Sequence, residues 1–459
     1  MSRTRMSSRG TALVAAVLTA ALVALAASQA LARSEAKPSA GVQKTVLPNG
    51  LTVLVKPSEA NEIVSVQLVL GMGSKFESDS EAGISRLVQQ SLLKGTGTRT
   101  AEQIAEEVES VGGRINSGST KEVGLVSFTC TKEALPKVQE VFFDVILNPA
   151  FPEEEVEKER SLILQNIKQR KDQLLGSTLD LAQEVFYGKH PFHKPAEGYE
   201  ETVSGFAGDE VRRAYEKFYV PRNMVLCAVG NLDTKKFVKD VVERFKDFRA
   251  GAAKPEPAPG LEAFSLPESR QELKQKKSAS AWIVIAFPAP GMLQEDYFPA
   301  RVLDSILGGS MHSRLFSELR DKQGLGYQVG TLYAGYSRDA FMGTFIGTRP
   351  DQYEAARDGI LAEVEKVRAE EVTDEELRDT KTYLRGSYII GLESNESQSY
   401  NFAYYECLGL GYDFADRFLE GIQAVEKVDM LRVAKEGFGV YGLASTLPEA
   451  AAEESEATE

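Results

Sequence analysis

The sequence predicts an α+β protein of two tandem homologous domains, each a mostly antiparallel sheet with helices packed on one side. Three observations carry this. Stretches of strand period and helix period alternate along the chain. The chain also repeats itself: Phe151-Pro-Glu-Glu-Glu-Val opens a long helical region running to Gly188, and about 221 residues later Val372-Thr-Asp-Glu-Glu-Leu opens a matching region running to Gly409. Upstream, Ser91-Leu-Leu-Lys-Gly-Thr is paralleled by Ser305-Ile-Leu-Gly-Gly-Ser. A repeat this long means two similar domains and not a solenoid of short units. Between the copies, residues 251–266 are rich in Ala, Pro and Gly, the composition of a linker. The expected layout is a targeting segment at 1–32, domains at 40–250 and 273–445 joined by a linker at 251–272, and an acidic disordered tail at 446–459.

Taken in order, Val42–Leu47 and Leu51–Val55 flank Pro48-Asn49-Gly50, a hairpin signal. Val64, Val66, Leu68 and Leu70 alternate as on a half-buried strand. Thr100 and Gln103 form a capping box for a helix whose Ile104, Val108 and Val111 share a face, stopped at Gly112-Gly113. Leu125–Thr129 and Met224–Val229 are further strands, with a long helix over Glu153–Lys171 between them. In the second copy, Ala281–Phe287 and Phe341–Gly347 read as strands, and Pro299–Leu307 and Tyr353–Arg368 as helices. The last apolar run, Val440-Tyr-Gly-Leu-Ala-Ser-Thr-Leu-Pro, is weak and predicts a poorly packed final strand.

Arg3, Arg5 and Arg9, the apolar run Thr11–Ala27 and Ala30-Leu31-Ala32 have the pattern of a cleaved signal peptide, which predicts a periplasmic or secreted protein with no membrane span after cleavage. The full chain carries a net charge of −14, and loss of those three arginines makes the mature protein more acidic still. An acidic surface excludes nucleic acid as a partner, because binding there needs a basic footprint. Cys130, Cys227 and Cys407 are an odd, scattered set that predicts core packing, not bridges or a metal cluster.

Residues 83–96 read Gly-Ile-Ser-Arg-Leu-Val-Gln-Gln-Ser-Leu-Leu-Lys-Gly-Thr. As a bare helix, Ile84, Leu87, Val88, Ser91 and Leu92 would face a core. The stretch resembles the zinc helix of the pitrilysin/insulinase family of metallopeptidases, Gly-x-x-His-x-x-Glu-His-x-x-x-Lys-Gly-Thr. Gly83, Leu92, Lys94, Gly95 and Thr96 match that frame. The resemblance places Arg86, Gln89 and Gln90 where the family has its first ligand, its general base and its second ligand, and Asn166, beside Gln165, where it has a third, glutamate ligand. Arginine stays protonated and has no lone pair to offer. Glutamine is a poor zinc ligand, and Gln89 cannot take a proton from a metal-bound water. No metal or catalytic residue is therefore expected in this chain alone.

In the second copy, Arg320-Asp-Lys-Gln-Gly-Leu-Gly-Tyr327 resembles the family's Arg-x-x-x-Gly-Leu-x-Tyr segment, whose arginine and tyrosine hold the substrate backbone or the developing oxyanion. The alternative is that Arg320 pairs with Glu318 or Asp321 while Tyr327 lies in the core. His190-Pro-Phe-His193 resembles a family loop segment, and Pro191 argues for a structural loop and against a metal site. His312 stands alone. In two-chain bacterial members one subunit carries the zinc motif and the other the Arg/Tyr pair. The resemblance thus implies a non-catalytic subunit of a heterodimeric zinc metallopeptidase acting on peptides, with zinc on the homologous partner subunit. A zinc-free scaffold or peptide-binding protein of the same fold is the alternative.

Overall fold

The computed structural model describes residues 37–261 and 264–449. The expected targeting segment and residues 450–459 of the expected acidic tail lie outside the described residues. Residues 37–41 form a small separate unit, a turn in which the Ala40 N–H donates to the Lys37 carbonyl at 2.9 Å. The rest of the chain, from Val42, is one compact unit.

Its first half contributes β1 (Gln43–Val46), β2 (Thr52–Pro57), β3 (Ile63–Gly71), α1 (Ile84–Ser91), α2 (Ala101–Glu109), β4 (Arg114–Ser119) and β5 (Val123–Thr131). Five helices follow, α3 (Leu135–Leu147), α4 (Glu153–Asp172), α5 (Leu174–Tyr187), α6 (Glu200–Val203) and α7 (Gly208–Phe218), then β6 (Met224–Gly230) and α8 (Thr234–Phe245). The second half contributes β7 (Arg270–Lys276), β8 (Ala281–Ala289), α9 (Tyr297–Leu307), a π-helical stretch at Phe316–Lys322, β9 (Gln328–Tyr333) and β10 (Ala340–Thr348). It ends with α10 (Tyr353–Ala369), α11 (Asp374–Gly391), α12 (Asn395–Cys407), α13 (Phe414–Ala424), α14 (Lys427–Gly437) and β11 (Gly442–Pro448).

The strands form two sheets, ordered β1-β2-β6-β3-β5-β4 and β7-β11-β8-β10-β9. Each has one parallel pair, β2 with β6 and β7 with β11, and is otherwise antiparallel. Val64, Val66, Leu68 and Leu70 of β3 join the main core of the first half, under that half's own helices. The opposite face of the same strand is not solvated, although the alternation predicts a half-buried strand. It is covered by α12, which comes from the second half and packs on β3 and β6. The polar residues that give the alternation are accommodated there: Ser65 accepts a hydrogen bond from Ser399 of α12 at 3.2 Å.

The exchange is mutual. The second sheet has its own helices on one face, and α5 of the first half packs on β8 and β11 from the other. Leu181, Ala182 and Val185 of α5 pack with Val284 and Ala444, and the Thr178 and Thr446 hydroxyls meet at 2.7 Å. This corrects the expectation for the final strand. β11 lies between β7 and β8, and its first five residues are buried. Small residues, Gly442, Ala444, Ser445 and Thr446, are what let α5 approach so closely; an added Cβ at Gly442 would lie 3.0 Å from the Phe186 Cα. β7 begins inside the expected linker, and β11 runs to Pro448, past the expected end of its domain.

The hairpin tips of the two halves also meet. Glu122, at the β4–β5 turn, accepts the Ser337 N–H at 2.7 Å and the Ser337 hydroxyl at 2.5 Å, and pairs with Lys75 at 2.8 Å. Ser337 sits in the corresponding turn between β9 and β10. The buried carboxylate is thus paired and hydrogen-bonded, as burial of a charge demands. No helix among the described residues is long and apolar enough to cross a membrane.

Candidate functional site

The Gly83–Thr96 frame is built into the packing. Gly83 precedes α1 at φ 95°, and an added Cβ would lie 2.5 Å from the Glu197 carbonyl oxygen, so only glycine fits. The first turn has no capping side chain of its own. The buried Glu77 carboxylate takes that role, accepting the Gly83 N–H at 3.0 Å and the Ser85 N–H at 2.9 Å. Burial pushes the Glu77 pKa up, against the pull of these hydrogen bonds. Past the helix, Lys94 pairs with Glu159 of α4 at 2.8 Å. Gly95 turns at φ 150° beside Pro152. The Thr96 hydroxyl donates to Asp144 at 2.7 Å and accepts the Thr98 and Arg99 N–H groups.

The four positions that the resemblance sets against the family's ligands and base fall in two environments. Gln89 is fully buried. Its Oε1 accepts the Ser117 hydroxyl at 2.6 Å and the Tyr219 hydroxyl at 3.2 Å, and its Nε2 donates to the Met72 sulfur at 3.2 Å. Burial pushes the Tyr219 phenol far up, so it stays a donor. Gly124 on β5 makes the room, since an added Cβ would lie 2.4 Å from Gln89 Nε2. Arg86 and Gln90 share the half-buried stripe of α1, one turn apart. Arg86 makes no ion pair or hydrogen bond among the described residues, and Gln90 Oε1 is buried with no hydrogen-bond partner. Asn166 and Gln165 are exposed on α4, the helix packed against α1.

This donor set does not fit zinc. It comprises a permanent cation, two amides on α1, one of them with its oxygen already accepting two hydrogen bonds, and an exposed amide on α4. Nor does any group of three or more His, Cys, Asp or Glu side chains that could hold a metal occur among the described residues.

Arg320 and Tyr327 take neither of the bland positions open to them. Glu318 pairs with Lys322, and Arg320 is exposed, with its guanidinium 4.4 Å from the centre of the Phe316 ring and no ion pair among the described residues. Tyr327 is 57% exposed, with one ring edge against Trp282. The cause is local. Gly324 turns at φ 63°, and at Gly326 the chain lies so close to β10 that an added Cβ would be 2.6 Å from Ile346. Tyr327 is thereby turned out at the start of β9. Among the described residues no hydrogen bond, ion pair or ring contact joins Arg320 or Tyr327 to the Arg86–Gln90 face.

His190 and His193 belong to the junction of the halves. His190 is buried against Tyr187, Phe192 and Phe264, and its Nδ1 accepts the Phe192 N–H at 3.3 Å. Burial, with His193, Lys194 and Lys121 nearby, pulls its pKa down to about 4. His312 is exposed. The three cysteines are free, Cys130 and Cys227 are core residues, and burial pushes all three thiol pKa values up.

Sequence reasoning missed the partners of Gln89 and the position of β4 and β9 as open sheet edges beside the two candidate faces. Gly118 and Gly124, glycines inside a strand pair, were the available sign of a close approach.

With this geometry in hand, residues 52–198 match the model of the insulinase family, peptidase family M16, and residues 206–384 match that of the peptidase M16 inactive domain. An uncharacterized zinc protease of Rickettsia felis is 31% identical over 352 residues, covering 76% of this chain and 83% of that one. The chain belongs to the M16 peptidase family. A second relative, the uncharacterized zinc protease YmxG of Bacillus subtilis, is 28% identical over 78% of this chain and 86% of its own. Among solved structures, a Helicobacter pylori protease shares the fold with a TM-score of 0.83 at 21% identity, over 89% of this chain and 99% of that one. A peptidase M16 inactive domain from Pseudomonas fluorescens does so with a TM-score of 0.82 at 19% identity, with the same coverage. The match to the M16 insulinase model spans Arg86, Gln89, Gln90 and Asn166.

Proposed function

We propose that this chain is the non-catalytic subunit of an exported, heterodimeric M16 zinc peptidase, closing a peptide chamber against a homologous subunit that bears the zinc motif. The observation that carries the reading is the pairing of two facts: the α1 and α4 side chains do not suit zinc, while the Arg320 and Tyr327 side chains stand exposed, with no ion pair or side-chain hydrogen bond among the described residues. Zinc, its water and the general base would come with the partner. From this chain, the guanidinium fork and the phenol would donate to a substrate carbonyl oxygen as it gains charge. β4 and β9, each at a sheet edge, offer unpaired backbone groups to an extended peptide.

Two experiments test this. Native co-purification of the tagged mature chain should bring down a homologue with an intact zinc motif and chelator-sensitive peptidase activity. A chain that elutes alone and inactive would favour the zinc-free scaffold. In the assembled enzyme, Arg320→Ala or Tyr327→Phe should lower kcat by on the order of 100-fold while leaving assembly intact. Unchanged turnover in both variants would refute the role of the pair.

A further inference from the structure

We infer that the α1 face bearing Arg86 and Gln90 is a binding site for a carboxylate carried on an extended peptide, in the place where the family's ligand chemistry has been lost. Three observations meet there. Arg86 is half-buried, yet among the described residues no carboxylate pairs with it. The acids that meet the two ends of α1 are committed there, Glu159 to Lys94 just past the helix and Glu77 to the N–H groups at its start. One turn on, Gln90 Oε1 is buried without a donor. Beside them runs β4, an edge strand of its sheet, and the Arg86 guanidinium lies over its face, 3.9 Å from where a Cβ would stand on Gly118.

Each feature asks for a different part of one ligand. A partly desolvated guanidinium with its fork free favours a carboxylate, which it can hold through two parallel hydrogen bonds. An orphaned amide oxygen requires an N–H donor. The open edge of β4 suits a strand that supplies its own backbone N–H groups. Inorganic anions answer only the first of these, and a neutral peptide only the other two. Asn166 and Gln165 on the adjoining α4 add uncharged polar groups that neither repel nor neutralise the anion. The site requires no partner subunit, so it stands or falls apart from the complementary-subunit reading.

Fluorescence anisotropy on the full chain, with a labelled decapeptide rich in Ser, Thr and Ala that carries one central Glu and a free C-terminus, tests it. Replacing the Glu by Gln, amidating the C-terminus, or doing both separates a side-chain carboxylate from a terminal one. Binding should weaken about 10- to 100-fold when the recognised carboxylate is neutralised, and by a similar factor in Arg86→Met, with partial retention in Arg86→Lys. Gln90→Met should weaken all the peptides alike. Far-UV circular dichroism checks that the variants are folded, and if Arg86→Met is not, the comparison of charged and neutral peptides on the unaltered chain decides by itself. Equal affinity for the charged and the doubly neutral peptide would overturn the inference. So would unchanged binding in a folded Arg86→Met, or no binding of any peptide at about millimolar concentration.

Discussion

The order β2-β6-β3-β5-β4 in the first half is matched strand for strand by β7-β11-β8-β10-β9 in the second, down to the parallel pair at the same place. In each half the helix after the long helix, α5 or α12, leaves its own sheet and covers the other's on equivalent strands. The halves part company at the helix after the first core strand. By the Ser91/Ser305 correspondence, Gln89 of α1 aligns with Leu303 of α9, and both are fully buried. The second half has leucine where the first keeps an amide tied to Ser117, Tyr219 and Met72. A residue with three such partners is expensive to replace, because each partner would be left unpaired. Arg86, Gln90 and Asn166 have no such ties, so nothing in the packing prescribes what stands there. The frame positions are held by packing, and Arg86, Gln90 and Asn166 are not.

The exchange of helices offers the largest effect for breaking the comparison. Phe402 of α12 and Phe186 of α5 are both fully buried on the borrowed faces. Phe402→Ala and Phe186→Ala should each cost about 3–5 kcal/mol. Each should lower the midpoint of a single urea transition, since neither sheet is complete without the other half. Two resolved transitions, with only one shifted by each variant, would show that the halves are independent.

Next in size, Gly83→Ala should destabilise by about 1–3 kcal/mol from backbone strain alone, with the clash against Glu197 adding to it. Gly97→Ala, where an added Cβ meets nothing, is the matched control on the same frame. Equal melting temperatures for the two variants would mean that the frame is not held as described.

A pH-dependent effect sits at the junction. Lys121 is buried, donating to Gln183 and to the Phe192 carbonyl, and burial holds its pKa down to about 7. Between about pH 7 and about pH 10 the unfolded chain binds a proton there that the folded chain does not, so this group makes stability rise with pH, by at most about 1.4 kcal/mol per unit. Lys121→Met should remove that rise. The urea midpoint of the unaltered chain should therefore rise relative to that of the variant as pH increases through the window, and a difference that stays constant would show that the amine remains charged when buried.

Much of the fold is written locally. Pro48-Asn49-Gly50 specifies the β1–β2 hairpin, Thr100 and Gln103 cap α2 as a reciprocal pair, and the repeated helix openings at Phe151 and Val372 mark the two halves. The incompatibility of Arg86, Gln89 and Gln90 with zinc follows from side-chain chemistry and one helical turn of spacing, so it too needed no coordinates. The covered second faces of the sheets were not legible. Ser65 on β3 reads as solvent-facing, and the weak run in β11 as marginal, because period reports which face is apolar and not what another segment 200 or more residues away lays over it. Likewise only the folded chain reveals that Tyr327 is turned outward, that Gln89 is tied to Ser117, Tyr219 and Met72 and that Arg86 is left without a counter-charge. Those are properties of contacts between distant segments, and contacts of that kind are what tertiary structure decides.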